Sequence, residues 1–470
     1  MIKKINKNIY EIPKEEGMNV KGIIYASSKI IEDIKKDKTI EQIKNVASLP
    51  GIIGKSIALA DAHQGYGFSI GGVAAFDLEK GIISPGGVGY DINCSVRLLR
   101  TNIKKKEFIS KQKEVANVLK KKIPSGVGRG SPFQISYKEL DKLLKGGSQY
   151  LVEKGYGKKE DYLHTEEEGK LKNANPLKVS ARAKKRGIGQ VGTLGAGNHF
   201  LDVLVVDKIF DNAAAKAYGI SKNQIVIMIH CGSRGLGHQV ASDYIKLMEE
   251  KYGFENLRDR ELINAPIKSK LGKDYLSAMN CAANFAFANK QMLTHFTREA
   301  IREIFPNSEL DVIYDICHNI AKIEKHKVGK AIKEVCVHRK GATRSLGPGR
   351  IEVPTKYRKI GQPVMIPGSM GTSSYLMKGT KKSEELSFSS TVHGAGRVMS
   401  RSRAIRELNY SKIKKDIQNK KIEICSGSKR GFIEEAPEVY KEIDEVVESM
   451  DYLGLSKKVA RMKPIIVIQG

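Results

Sequence analysis

Five residues of metal-ligand type, scattered between positions 91 and 318, constrain this chain more than any other feature. Asp91 and Cys94 stand three apart in Ser84-Pro-Gly-Gly-Val-Gly-Tyr-Asp-Ile-Asn-Cys94, where one turn brings carboxylate and thiol to one side. His199 follows Leu194-Gly-Ala-Gly-Asn198; His230 ends the apolar run Ile225-Val-Ile-Met-Ile229, and His318 ends Val312-Ile-Tyr-Asp-Ile-Cys317. Such runs read as buried strands, and polar residues at strand ends are where sites are usually built. No two of the three histidines lie at short ligand spacing, so they share an ion only if distant segments converge in one body. Mixed thiolate, imidazole and carboxylate donors suit zinc, manganese, iron or cobalt better than magnesium or calcium. Taken singly, His230 and His318 also fit core histidines, Cys94 a small buried hydrophobe and Asp91 an N-cap. Cys231 and Cys317 adjoin two of the histidines and are alternative ligands; neighbours in a strand face opposite ways, so one of each pair turns to the site.

A second feature is local. His393-Gly-Ala-Gly-Arg-Val-Met-Ser-Arg-Ser-Arg403 places an imidazole, a glycine turn and three guanidiniums together. The backbone N–H groups of Gly394, Ala395 and Gly396 are free to face an anion, Arg397 and Arg401 add charge, and the residues that follow can start a helix. Histidine beside such a cradle is suited to covalent phosphate chemistry.

Longer motifs carry a family resemblance. Asp61-Ala-His-Gln-Gly-Tyr-Gly67, Ile70-Gly-Gly-Val-Ala-Ala75, the segment from Ser84 to Cys94, Gly192-Thr-Leu-Gly-Ala-Gly-Asn-His-Phe200, His230-Cys-Gly-Ser-Arg-Gly-Leu-Gly-His238, His338-Arg-Lys-Gly-Ala-Thr-Arg344, Pro367-Gly-Ser-Met-Gly-Thr372 and His393-Gly-Ala-Gly-Arg397 resemble, in order, the RtcB family of GTP-dependent RNA-splicing ligases. The resemblance runs from about residue 50 to the C-terminus. It implies an enzyme that joins RNA 3′-phosphate or 2′,3′-cyclic phosphate ends to 5′-hydroxyl ends, in tRNA splicing or RNA repair. It also implies a guanylylated His393, an RNA(3′)pp(5′)G intermediate, and two manganese ions, replaceable by zinc or cobalt, on Asp91, Cys94, His199, His230 and His318. For GTP it implies contacts from Asn198, Asp202, Ser369, Ser374, Gly394, Ala395, Gly396, Arg397, Tyr440 and Gln469. For RNA or phosphate it implies Asp61, Arg234, Lys340, Arg344 and Arg401. His63 and His338 lie in matched motifs without an assigned role. The chain departs from the family pattern at Asp202, where glutamate is usual, and at Gln469, where lysine is usual; a weakened guanine preference is expected. An archease-type activator is implied by the resemblance alone. A metal-dependent phosphoesterase or nuclease acting on RNA ends is the alternative, because it needs the five ligands but no covalent histidine.

Composition agrees with a polyanionic partner. Lys and Arg number 81 against 52 Asp and Glu, a formal charge of +29, with lysine clusters at 104–106, 120–122, 184–186 and 412–415. Tryptophan is absent and aromatics are 7%, so base stacking along an extended platform is not the expected mode of recognition. Six irregularly spaced cysteines suggest a reducing, cytoplasmic setting; no signal peptide or membrane-length apolar run is seen, and a monomer is the default.

The expected fold is α+β: one large domain over residues 1–470, with β-sheets wrapped by helices around a central metal and nucleotide site. Glycine- and valine-rich strands fall within 57–99. Helices are expected over about 27–36, from a capping box Thr39-Ile-Glu-Gln42 toward Ala47, over 277–304, and from Pro437 to about Met450. The polar stretch of about 145–176 is expected to be a mobile excursion near the site, and residues 1–7 an edge strand or loosely held.

Overall fold

The computed structural model describes residues 2–126, 128 and 130–470. Two large sheets dominate it. The first has seven strands in the spatial order Lys3–Asn6, Ile9–Ile12, Lys21–Tyr25, Ile52–His63, Ile70–Asp77, Ala331–Lys340, Asn319–Val328. Its neighbours are antiparallel except Lys21–Tyr25 beside Ile52–His63, which are parallel and joined through two helices, Ser28–Ile34 and Thr39–Ala47. A parallel pair requires such a crossover.

The second sheet has eight strands. Seven run in the order Leu310–Cys317, Ser95–Lys104, Gln224–Cys231, Phe200–Ile209, Ser456–Gln469, Ser374–Gly379, Pro363–Ile366, and Glu423–Ser426 pairs in parallel with the end of Ser456–Gln469. Its central strands are covered on both faces, which is why Gln224–Cys231 is an unbroken buried run rather than an alternating one. The helix Lys270–Ile304, 35 residues long, fills one face; Leu293, Ala300 and Ile301 pack with Leu201, Ile227 and Ile229.

The sheet register explains how distant ligands meet. Antiparallel pairing sets Cys317 opposite Ser95, Ser95 opposite Cys231, and Phe200 opposite His230. Two strands therefore end, and two begin, at the same edge. Cys94, His199, His230 and His318 emerge there side by side. The chain leaves this edge at His318 and enters the first sheet at Asn319, so the ligands occupy the seam between the sheets. Backbone bonds close that seam: His318 N–H donates to Cys94 O at 2.9 Å and Ala342 N–H to His318 O at 3.1 Å.

Several local expectations shift. The helix at Thr39 forms, but Thr39 is its first residue: the Asp37 carboxylate accepts the Thr39 N–H at 2.8 Å, and the Gln42 amide turns away to Gly65 O. After Pro437 there is one 3-10 turn, Pro437–Val439, and the helix proper is Ile443–Leu453. Lys3–Asn6 forms the edge strand expected for residues 1–7, of which Met1 lies outside the described residues. The stretch 145–176, expected as a loose excursion, is instead packed. It contains the end of the helix Tyr137–Glu153 and the turns Lys159–Leu163 and Glu166–Gly169. Three of its acidic residues face inward: Arg298 donates two 2.6 Å bonds to Asp161, and Lys322 donates to Glu166 at 2.7 Å and Glu167 at 3.0 Å. A polar composition reads as a loop when its charges face water; here they face buried cations.

Candidate functional site

At the seam five donor groups converge. Asp91, Cys94 and His199 form one triad and Cys94, His230 and His318 another, sharing the Cys94 thiol. Cys94 Sγ lies 3.4 Å from His199 Nε2 and 3.1 Å from His230 Nε2; His230 Nε2 lies 3.3 Å from His318 Nε2, and His199 Nε2 lies 2.8 Å from Asp91 Oδ2. Donors at 2.0–2.3 Å from one tetrahedral ion stand roughly 3.3–3.7 Å apart, so two of these four separations match a coordination shell and the other two are shorter. His230 and His318 present Nε2 to each other, and His230 Nδ1 has no partner although it is buried.

The donor chemistry suits a cation. Burial pushes the Cys94 thiol up to about 12, with the Asp91 charge adding to it. His230 and His318 are held well below the usual range by burial and by neighbouring imidazoles, which keeps them neutral and able to ligate. For Asp91 burial opposes ionisation, but His199 and Arg234 outweigh it and hold the carboxyl low. A bound divalent ion would take the thiol to thiolate, and a thiolate bridging two ions fits the shared position of Cys94. The alternative cysteines lie outside both triads, although the Cys231 thiol touches His199. Cys231 Sγ faces the carbonyls of Thr193 and Leu194 at 3.3 Å. Cys317 is likewise absent from either triad; its N–H donates to Glu166 at 2.8 Å.

Beside the cluster stands His393, its ring centroid 4.9 Å from that of His318. Asp61, fully buried in the strand Ile52–His63, takes two bonds from His393: Nδ1–H at 2.6 Å and the backbone N–H at 2.9 Å. That pairing leaves Nε2 with its lone pair. Gly396 makes the close approach possible, since at φ +75° a Cβ would stand 2.1 Å from Asp61 O.

A cavity of about 260 Å³ opens over His393 and the cluster. Of the residues expected from the sequence, Asp91, Cys94, Asn198, Asp202, His230, His318, Ser369, Gly394, Ala395, Gly396, Arg397, Arg401, Tyr440 and Gln469 line it. Asp202 Oδ1 and Gln469 Oε1 are buried without partners, and burial pushes the Asp202 carboxyl well above the usual range. Without a partner the neutral acid is favoured at Asp202.

Residues 42–470 match the family model described as tRNA-splicing ligase RtcB. The chain belongs to the RtcB family. Proteins named tRNA-splicing ligase RtcB from Thermococcus kodakarensis and Methanococcus maripaludis are each 49% identical to it, over 100% of this chain and 99% of their own. A like-named protein of Pyrobaculum aerophilum has the same identity and coverage. Mixed helices and sheets in one large body, with the His/Cys/Asp cluster at the seam, agree with RtcB-family membership.

Within this RtcB-family chain some expected contacts lie elsewhere. Ser374 is outside the cavity lining; its hydroxyl accepts the Gly368 N–H at 3.1 Å and so shapes the loop that carries Ser369. Arg234 lies behind the metal cluster, with Nη1 2.8 Å from His199 Nδ1. Arg344 is buried in ion pairs with Glu166 and Glu167, at 3.2 and 2.9 Å. Lys340 donates to the carbonyls of Tyr66 and Phe68, and burial lowers it to about 7. The sequence placed Arg344 and Lys340 at RNA phosphates; Lys340 is spent on internal carbonyls, and Arg344 is held in buried ion pairs while its Nε and Nη2 have no hydrogen-bond partner. Among the lining residues given no role from sequence are Glu435 and His63. Glu435 pairs with Arg397 at 3.2 Å and Arg401 at 3.5 Å and accepts the Tyr440 hydroxyl. His63 lines the wall, kept neutral by burial, which lowers it to about 4. His63 belongs to a recognised motif, whereas nothing local marks Glu435.

Proposed function

We propose that this chain is an RNA ligase that joins RNA 3′-phosphate ends, or 2′,3′-cyclic phosphates after their hydrolysis, to 5′-hydroxyl ends through a guanylylated His393. Family membership supports RNA ligation in tRNA splicing. The observation that carries the finer reading is the His393–Asp61 pair within ring contact of the metal cluster. A phosphoesterase would need the cluster but not this pair.

In the first step His393 Nε2 forms a bond to the α-phosphorus of GTP, and the bond to the bridging oxygen breaks, releasing pyrophosphate. Asp61 holds the Nδ1 proton, fixes the tautomer, and offsets the positive charge that the ring acquires. The N–H groups of Gly394 to Gly396 and the guanidinium of Arg397 offer donors to phosphate oxygens. Next, an oxygen of the RNA 3′-phosphate displaces the histidine from phosphorus, giving RNA(3′)pp(5′)G. Finally the 5′-hydroxyl of the second strand attacks the 3′-phosphorus, its proton leaves, and GMP departs.

Asp91, Cys94, His199, His230 and His318 would hold two divalent ions, manganese in this reading with zinc or cobalt as substitutes, which neutralise charge on the reacting phosphates. In this reading Asp202, Gln469 and Ser369, which line the cavity, contact the base, and Tyr440 stacks on it. One continuous domain over residues 1–470, a monomer in a cytoplasmic setting and help from an archease-type activator belong to the same proposal. The deciding experiment is mass spectrometry after incubation with manganese and GTP. A GMP adduct on the His393 peptide, absent from His393→Ala, is expected; no adduct on metal-loaded protein turns the reading to the phosphoesterase.

A further inference from the structure

Two of the lysine clusters, 120–122 and 412–415, play no part in the reaction above, yet the fold brings one residue of each to a common cleft. This cavity of about 400 Å³ lies by the strand Glu423–Ser426 and is lined by Lys120, Lys414 and Lys429. Tyr410 organises two of them: the ammonium of Lys414 is 5.8 Å and that of Lys429 5.2 Å from its ring centroid. Phe432 holds the tyrosine edge-on, with centroids 5.1 Å apart. A cation gathered over an aromatic face keeps N–H donors for a second partner. Among the described residues none of these lysines is in an ion pair, and Glu423 is the one carboxylate in the lining.

The cleft adjoins the candidate site. Ser426 in its wall pairs with Gln469, whose side chain lines the nucleotide pocket, and Gly427 N–H donates to Gln469 O at 3.0 Å. The cleft and the pocket are neighbours across the end of the strand Ser456–Gln469.

We propose that the cleft holds the phosphodiester backbone of the RNA strand a few nucleotides from the end being joined. This rests on the RNA-ligation reading and extends it to how the substrate is gripped beyond its end. Three ammonium groups against one carboxylate favour a polyanion, and lysines bind phosphate oxygens as point charges without reading sequence. An enzyme that seals ends of differing sequence needs contacts of that kind.

The test uses full-length protein carrying K414Q and K429Q, both exposed positions whose neutralisation leaves the core untouched. Fluorescence anisotropy would follow two 3′-phosphorylated RNAs, a long one and one just long enough to fill the pocket, over a range of salt. The expected result is an affinity for the long RNA about tenfold weaker, with the log–log salt slope shallower by about 1.4, and unchanged binding of the short RNA. Unaltered affinity and slope for the long RNA would overturn the proposal, and so would equal weakening of both, which marks a general field rather than a site. GMP attachment measured without RNA separates the two ideas. Wild-type protein that takes no GMP defeats the ligation reading, while anisotropy still reports on the cleft.

Discussion

Asp61 is the residue on which the proposed nucleophile depends. It lies entirely inside the fold, and its Oδ2 accepts both His393 bonds. Asp61→Asn keeps the shape but removes the charge that balances a phosphorylated imidazole, and permits the wrong tautomer. Single-turnover GMP attachment is expected to slow by about 10²–10⁴-fold while GTP affinity changes little, by analogy with the buried aspartate of a serine-protease triad. Loss of GTP affinity alone would contradict this role. Base selection is a second matter for single residues. A neutral Asp202 beside Gln469 provides weaker hydrogen bonds than charged partners, on the order of 1 kcal/mol less each. GTP is therefore expected to be used faster than ATP by a modest factor, narrowing further in Asp202→Ala; parallel attachment rates with the two nucleotides measure it.

Among the elements, the turn Glu166–Gly169 shows how charge replaces apolar packing. Glu166 and Glu167 receive Lys322 and Arg344, and Glu324 receives Arg339 at 2.8 Å from the neighbouring strand. For Glu167 the Lys322 charge is the chief cause of a carboxyl lowered from 4.5 to about 2, with burial opposing it and Arg344 assisting. A carboxyl lowered on folding binds fewer protons in the native state than in the unfolded one. Its stabilising contribution is thus present above pH 4.5 and lost as pH falls toward 2. Glu167→Gln is expected to lower stability at neutral pH by about 1–2 kcal/mol and to flatten the acid limb between those values. Urea unfolding at a series of pH values would show both; an unchanged acid limb would contradict the assignment. The partners of this turn are the least legible in sequence. Glu166-Glu-Glu-Gly169 looks solvated until Lys322 and Arg344, each more than 150 residues away, are placed against it. The strand Gln224–Cys231 was the opposite case, since an apolar run ending in histidine states its burial and its polar end directly.

For the whole molecule, the candidate metal cluster draws on the edges of four strands, and a bound ion would clip the two sheets together. Binding that occurs only in the folded state adds stability by mass action. Manganese or zinc is expected to raise the melting temperature by several degrees, a chelator to reverse the rise, and Cys94→Ala to abolish most of it because both triads lose a donor. Calorimetry with and without metal checks this, and an equal rise in Cys94→Ala would place the ion elsewhere. The helix Lys270–Ile304 supports the same edge from behind. Leu293, fully buried there, is expected to cost about 2–5 kcal/mol of stability when changed to Ala, read by denaturant midpoint.

No helix of the described residues is long and apolar enough to cross a membrane, and all six cysteines are unpaired. The amino-acid order by itself determined the buried strands, the long helix, the glycine cradle after His393 and the donor types of the metal cluster. Those follow from local periodicity and from residue chemistry, which need no partner to be read. Between His230 and Cys231, and between Cys317 and His318, strand reading left the choice open and the family resemblance implied the histidines; tertiary structure gives the register that turns them to the cluster, and it decided that Asp61 grips His393. It also withdrew Lys340 and Arg344 from the pocket and set Glu435 in its wall. Each of these depends on antiparallel register or on an ion pair between distant segments. A one-residue slip in register reverses every side chain, and a charge shows no sign in sequence of whether its partner is water or another buried charge.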